Sequence, residues 1–329
     1  MADVVLCARG GAGELPAVVA ALRARGVEPL VLDSAAVPTA VPVTLAYDRA
    51  GVAGRWAELG ELREVSAVWQ AAVVGAELPE MAPGVRETCV AASERAVIGL
   101  LDSLPAFQLD PRWNQLRADS KPDQLRLAQQ LGLEIPETII TNDPAAVRAL
   151  ARRAGPVVAK MLVPPTATGP VHDAEVAVMF TTAMTDDELA RLDGLDLCPM
   201  IFQQRIETAR DVRVTIVGKR LFAAAIDASA RRGGDPDWRS HSHAHDDAPA
   251  WQPCDLPRAV ADRLIQLADR AGLNYGSVDL VVRPDGSHVF LELNATGSFA
   301  FLGAPHAGAI AAAIAEVLLD PGARRIPHA

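Results

Sequence analysis

Cysteine is scarce. Cys7, Cys89, Cys198 and Cys254 lie scattered through 329 residues with no CxxC pair, which excludes a zinc knuckle and a disulfide framework and fits reduced thiols in a cytoplasm. No apolar run approaches the roughly 20 residues that a membrane helix needs. The start, MADVVLCARGG, lacks the basic flank and cleavage site of a signal peptide. A membrane partner is therefore not expected. Positive charge is in deficit as well: 31 Lys and Arg against 41 Asp and Glu give a formal charge of -10. That balance argues against nucleic acid as a partner but leaves room for a local basic pocket for phosphates. Aromatics reach only 4%, yet half the residues are apolar. A sizeable core can be buried, and the length suits two or three domains. The chain shows no internal repeat and no long low-complexity segment.

What is present reads as an α/β chain. Residues 3–8 (DVVLCA) predict a buried strand, followed by a glycine loop (Gly10, Gly11, Gly13), a helix through PAVVAALRARG and a strand ending at Asp33. This order opens a parallel α/β layer, which a strand over 65–74 and a helix over 86–104 extend. The Gly11-x-Gly13 loop with Asp33 mimics a dinucleotide fingerprint, but Pro16 occupies the third glycine position, so NAD is not expected. The tract QLDPRWNQLRADSKPDQL marks the exit from the first domain. A helix DQLRLAQQLG stopped by Gly132, a short strand in EIPETIITNDP, another helix opened by Asn142-Asp143-Pro144 and a strand VVAKMLV follow. Two hairpins come next, RDVRVTIVGKRLFAAAID turning at Gly218-Lys219 and GSVDLVVRPDGSHVFLELN, with helices predicted over 257–272 and 305–319. Between the hairpins, His241, His243 and His245 alternate, but their acid-rich flanks favour a solvated loop over a zinc site.

The second hairpin carries the strongest chemical signal. A two-residue Asp285-Gly286 turn pairs Pro284 with Ser287 and, counting outward, sets Asp279 opposite Glu292, with Asn294 on the same face. Facing carboxylates about 5 Å apart repel by roughly 3 kcal/mol at an effective dielectric of 20. Compensation by a divalent cation is expected; the alternative is that one acid points to solvent or pairs with Arg283. Oxygen donors without His or Cys suit magnesium, which completes its shell with waters and phosphates. Lys160 ends the apolar run VVAK, where a strand delivers a charge into an otherwise buried place. Lys121, read alone, is a surface residue. Asp211 and Arg213 share one face of their strand.

In this order, two lysines, a strand leading into the polar segment FQQRIE, an Asp-x-Arg strand and Asp…Glu-x-Asn resemble the ATP-grasp superfamily along essentially the whole chain. The segments KPDQLRLAQQLGLEIPETIITNDPAAVRAL, FQQRIETARDVRVTIVGKRLFAAAID, DPDWR and ELNATGSFAFL look like the graspetide (microviridin-type) maturases. Those ligases cross-link Asp or Glu side chains to Ser, Thr or Lys within a ribosomal precursor peptide. The similarity is specific in 114–226 and 277–302 and looser in 1–113. Two departures stand out: no arginines follow Trp69, and Ala295-Thr296-Gly297-Ser298 stands where Pro, a further residue, Gly and Gln usually follow the Asn.

The resemblance implies an ATP-grasp fold of α+β modules behind a Rossmann-like first domain. The implied units are 1–112 (Rossmann-like), 113–201 (central ATP-grasp subdomain, the lid) and 202–329 (C-terminal subdomain with the metal site). It implies ATP and Mg2+ as cofactors. Lys121 and Lys160 are expected on the α- and β-phosphates. Backbone groups of Gln203, Gln204, Arg205 and Ile206, with the Gln204 side chain, are expected on adenine, and Asp211 on the ribose. Asp279, Glu292 and Asn294 are expected to hold magnesium, and Arg213 and Arg239 to stabilise the transferred phosphoryl group and the substrate carboxylate. The implied reaction forms ester or amide cross-links in a precursor peptide with a leader and an acidic core. A ligase for free amino acids or small acids is the rival, and a homodimer is left open.

Overall fold

Strand β1 (Asp3–Ala8) is an aliphatic run with its core-facing residues fully buried, because it lies inside a parallel sheet ordered β2-β1-β6-β7. Its neighbours are β2 (Leu30–Asp33), β6 (Val65–Gln70) and β7 (Phe107–Leu109). Parallel neighbours need crossovers, and α1 (Leu15–Arg23) and α2 (Pro83–Asp102) supply them. Helix α2 starts three residues before the expected 86, because Pro83 at its first turn is pre-set for helical φ. An antiparallel trio, β3 (Val43–Asp48), β4 (Gly51–Trp56) and β5 (Gly60–Glu61), falls between β2 and β6. This computed structural model describes residues 3–8, 13–49, 51–56, 60–61, 65–71, 73, 75–162, 181–230 and 251–327.

A second, antiparallel sheet is ordered β10-β9-β11-β8, with β8 (Thr138–Thr141), β9 (Val157–Met161), β10 (Thr182–Ala183) and β11 (Met200–Gln204). Helix α5 (Pro144–Ala154) covers it, with Leu189 of the short α6 (Asp186–Ala190) against the same core; α5 is capped by the Asp143 carboxylate, which accepts from Ala145 N–H at 2.8 Å. This module has its own core of Val147, Leu150, Val157, Ala159, Leu195 and Phe202.

The third sheet is antiparallel, ordered β14-β13-β12-β15-β16. It contains β12 (Arg210–Val217), β13 (Arg220–Asp227), β14 (Gln252–Pro253), β15 (Tyr275–Val282) and β16 (His288–Asn294). The first hairpin turns at Gly218-Lys219 as expected, since Val217 pairs with Arg220. Alternation divides the two faces. Val212, Val214, Ile216, Val278, Leu280 and Leu293 pack with α7 (Arg258–Ala271) and with residues of α3 (Arg112–Ala118) and α4 (Lys121–Gln130). On the other face, Val217 and Tyr275 enter a core shared with Trp69 and Phe107 of the first sheet. The alanine-rich α8 (Ala304–Leu319) fills that junction, its short side chains letting it lie close to both α1 and β12. The rest of this face is polar but buried: Asp211, Arg213, Thr215, Ser277 and Asp279. Burying such groups is costly unless they are paired.

Candidate active site

The hairpin that carries the acids turns differently from expectation. Its loop has three residues, Pro284 to Gly286: Gly286 N–H donates to Arg283 O, and Arg283 N–H to Ser287 O, both at 2.9 Å. Gly286 takes a φ of +87, which closes the turn. Near the turn the register is therefore one residue off, pairing Val282 with His288. An extra residue in β16, Leu291, shifts it back, so that Asp279 faces Glu292 and Ser277 faces Asn294. The expected pair is present, reached through a bulge instead of a tight turn.

The charges around the pair include two cations of the chain itself. Arg213, directly opposite Asp279 across β12 and β15, donates from Nη1 to Asp279 Oδ1 at 2.7 Å, with both side chains buried. Lys121 Nζ lies 3.0 Å from Glu292 Oε2. Asn294 Nδ2 donates to Glu292 Oε1 at 3.1 Å and lies 3.4 Å from Asp279 Oδ2. The chain's own cations thus supply part of the compensation that the pair needs. Arg283, the alternative partner, instead pairs with Glu134. The donor set still fits magnesium: two carboxylates and one amide, all oxygen-bearing, converge on one strip. Among the described residues no group of three or more His, Cys, Asp or Glu could hold a metal, and a magnesium ion usually takes waters and phosphate oxygens besides its protein ligands.

Two polar residues that the sequence did not single out hold this strip from behind. Gln124, on α4, accepts from Leu293 N–H at 2.9 Å and donates to Leu293 O and Ala118 O at 2.6 Å. Asp119 accepts from Ala295 N–H at 3.2 Å. Together they occupy the outer edge of β16 on both sides of Asn294, and Lys121 stands between them in the chain. Burial raises the Asp119 carboxyl, against the Ala295 hydrogen bond and the charges of Lys121 and Arg112. A signal existed: Gln124 shares a helical face with the buried Leu127 and Ala128.

The segment after Asn294 lies directly on Arg213. Arg213 Nη2 donates to Ser298 O at 3.0 Å, and the Tyr275 hydroxyl and Ser277 Oγ both donate to Gly297 O. A Cβ on Gly297 would sit 2.6 Å from Arg213 Nη2 and 2.5 Å from Ser277 Cβ, so only glycine fits. Glu14, at the start of α1, accepts at Oε1 from Ser298 Oγ, from Phe299 N–H at 3.0 Å and from Ala300 N–H at 3.2 Å.

Lys160 and the segment 203–206 fall on the second sheet or at its border. Lys160 is half-buried on β9, opposite Ile201. Gln203 is buried and donates to Thr138 Oγ1 at 3.0 Å; Gln204 Nε2 lies 3.4 Å from Ala154 O. The backbone N–H groups of Gln204 and Arg205 donate to Glu137 O (2.8 Å) and Pro156 O (2.7 Å), so both are committed to the fold. Ile206 O accepts from Thr208 Oγ1 at 3.0 Å. Asp211 is buried on the same face of β12 as Arg213. Arg239, the three alternating histidines and most of the glycine loop lie outside the described residues. Cys7 is buried and its thiol is pushed up to about 12 by desolvation, which leaves it inert.

Comparison with known proteins adds to this geometry. Residues 13–115 match the family described as the MvdD pre-ATP grasp domain. The chain is similar to macrocyclase MdnC from Microcystis aeruginosa MRC, bound with precursor peptide MdnA. The two share 34% identity over 96% of this chain and 99% of that one, with a TM-score of 0.84. It is also similar to a RiPP-associated ATP-grasp ligase of Chryseobacterium gregarium in complex with ADP and a leader and core peptide. There the identity is 26%, the coverage 100% of both chains and the TM-score 0.89. Macrocyclase MdnB from Microcystis aeruginosa MRC matches at 26% identity over 97% of this chain and 99% of that one, with a TM-score of 0.77. No curated protein matches the chain.

Proposed function

The chain belongs to the graspetide (microviridin-type) family of ATP-grasp ligases, and from that premise we propose that it cross-links a ribosomal precursor peptide with ATP. In the proposed reaction an Asp or Glu side-chain carboxylate of the peptide attacks the γ-phosphorus of ATP, giving an acyl phosphate and ADP. A hydroxyl or amine of the same peptide then attacks the acyl carbon; phosphate leaves, the nucleophile's proton is released, and an ester or amide remains. The peptide loses one water per link.

The observation that supports this most is the convergence of Lys121, Arg213, Asp279, Glu292 and Asn294 on one strip, with Arg213 and Asp279 buried. Asp279, Glu292 and Asn294 would hold magnesium, which when bound neutralises charge on the phosphate oxygens. Lys121 and Lys160 would take the α- and β-phosphates. Adenine would meet the segment Gln203–Ile206 through groups other than the committed N–H donors of Gln204 and Arg205, and Asp211 the ribose. Arg213, with Arg239, would steady the transferred phosphoryl group and the peptide carboxylate. Transfer of this kind is largely positioning and charge stabilisation. The proposed location is the cytoplasm; among the described residues no helix is long and apolar enough to cross a membrane.

The test incubates the purified chain with ATP, magnesium and a precursor peptide encoded beside its gene. The expected product is lighter by one water per link, and removal of the leader slows its formation strongly. Consumption of free amino acids with ADP release, and no dehydrated peptide, would replace this function with that of a small-molecule ligase.

A further inference from the structure

Arg213 is held at few points. Its Nη1 meets Asp279 Oδ1, its Nη2 meets the Ser298 carbonyl, and the Phe301 ring lies 5.8 Å from its guanidinium carbon. Its buried Nε has no hydrogen-bond partner among the described residues. With Nη1 anchored on Asp279, the Ser298 carbonyl decides how the guanidinium plane is turned. On one side the loop lies close to Arg213 and Ser277, since a Cβ on Gly297 would sit within 2.6 Å of both. What fixes the far side of the loop is a residue at the start of α1. Glu14 gathers Ser298 Oγ, Phe299 N–H and Ala300 N–H on one carboxylate oxygen. Hydrogen bonds to an ionised acceptor are about twice as strong as neutral ones.

We propose that Glu14 is a positioning residue for the phosphoryl-transfer centre, acting through the 297–300 loop to set the direction of the Arg213 guanidinium. The inference rests on the role given above to Arg213. It makes a residue at the start of α1, remote from the acids in sequence, part of the machinery. Removing the carboxylate frees the loop to shift and lets Arg213 pivot about its Asp279 contact. A displacement of about 1 Å at a transition-state group costs on the order of 100-fold in rate. Nucleotide binding, which the inference assigns to other residues, stays as it was.

The test is a double-mutant cycle with Glu14→Ala and Arg213→Lys, the lysine chosen to keep charge and measurable turnover. Expected for Glu14→Ala is a fall of about 10- to 100-fold in kcat for peptide dehydration, with KM for ATP and the Kd for ADP within about twofold of wild type. Glu14→Gln, which keeps an acceptor oxygen, recovers part of the loss. The double variant is no slower than Arg213→Lys alone, because Glu14 has nothing further to act through. Multiplicative losses, or wild-type kcat in Glu14→Ala, would overturn the inference while leaving Arg213 in its role. Wild-type kcat in Arg213→Lys and in Arg213→Ala would remove the role of Arg213 itself, and the inference with it. If Glu14→Ala fails to fold, the same cycle is run with Glu14→Gln and must show the same non-additivity.

Discussion

Replacing Glu292 by Ala separates the two things that residue does. In the structure it attracts Lys121 at 3.0 Å, worth about 5.5 kcal/mol at an effective dielectric of 20. It also faces Asp279 across the hairpin at about 5 Å, a repulsion of about 3 kcal/mol. The difference, about 2 kcal/mol in favour of keeping Glu292, shrinks further because Lys121 is partly exposed and regains water when its partner goes. A net loss of about 1 kcal/mol is expected, which lowers Tm by about 2–4 °C. Without Lys121 the balance would shift towards the repulsion, with the Asn294 hydrogen bond at 3.1 Å left to oppose it. The functional effect is much larger: peptide dehydration is abolished, and the added stabilisation by MgADP over ADP alone disappears. Differential scanning fluorimetry in EDTA, with ADP and with MgADP, reads both effects, and mass spectrometry reads the product. A Glu292→Ala protein with wild-type turnover and an undiminished magnesium increment would refute the placement of the metal at this pair.

Lys160→Ala should raise KM for ATP and lower kcat. Lys219→Ala should leave nucleotide affinity unchanged, because Lys219 Nζ is bonded to Gly322 O at 2.7 Å; identical effects would remove the reason for singling out Lys160. Gly297→Ala should abolish dehydration with only a modest change in Tm, since its Cβ would collide with Arg213 Nη2 and Ser277; a fully active variant would show that the loop does not bear on Arg213. Asp110 is buried, and desolvation pushes its carboxyl up to about 7 from 3.8, against hydrogen bonds from Asn274 and Tyr275. A raised folded-state value favours the protonated form, so its contribution to stability is full below pH 4 and is lost as pH rises through about 7. Tm of the wild type should therefore fall more steeply between pH 5 and 8 than Tm of Asp110→Asn, and parallel slopes would contradict the shift.

Legibility in the sequence followed the range of the interactions. Strand alternation and one turn motif were enough to bring Asp279, Glu292 and Asn294 together, because a hairpin is a local object. The match was reached with two compensating differences, a longer loop and the bulge at Leu291, and neither has a residue signature in PDGSHVFLEL. Lys121 taken alone has the pattern of a surface lysine, and only the family resemblance singles it out. Its partner lies far along the chain, and only the packing of α4 on β16 brings them together. Glu14 belongs to the same class: nothing in GELPAV announces that its carboxylate will serve residues 298–300. Gln124 is intermediate, since its helical face marked it as buried but not what it would hold.

The sharing of one core by the first and last sheets has a kinematic consequence. Trp69, Phe107, Tyr275, Phe299 and α8 pack as one body, whereas the sheet around Phe202 has a core to itself. Among the described residues the chain passes twice between these two cores. One crossing leaves the large body just after Glu134, bridged to Val289, and the other rejoins it at Ala209, whose N–H meets Val282 O at 2.8 Å. The second crossing includes Arg205 and Ile206, the end of the segment assigned to adenine. The adenine contact proposed above would therefore fall on a connection between the two cores, and nucleotide binding would bear on how they are joined.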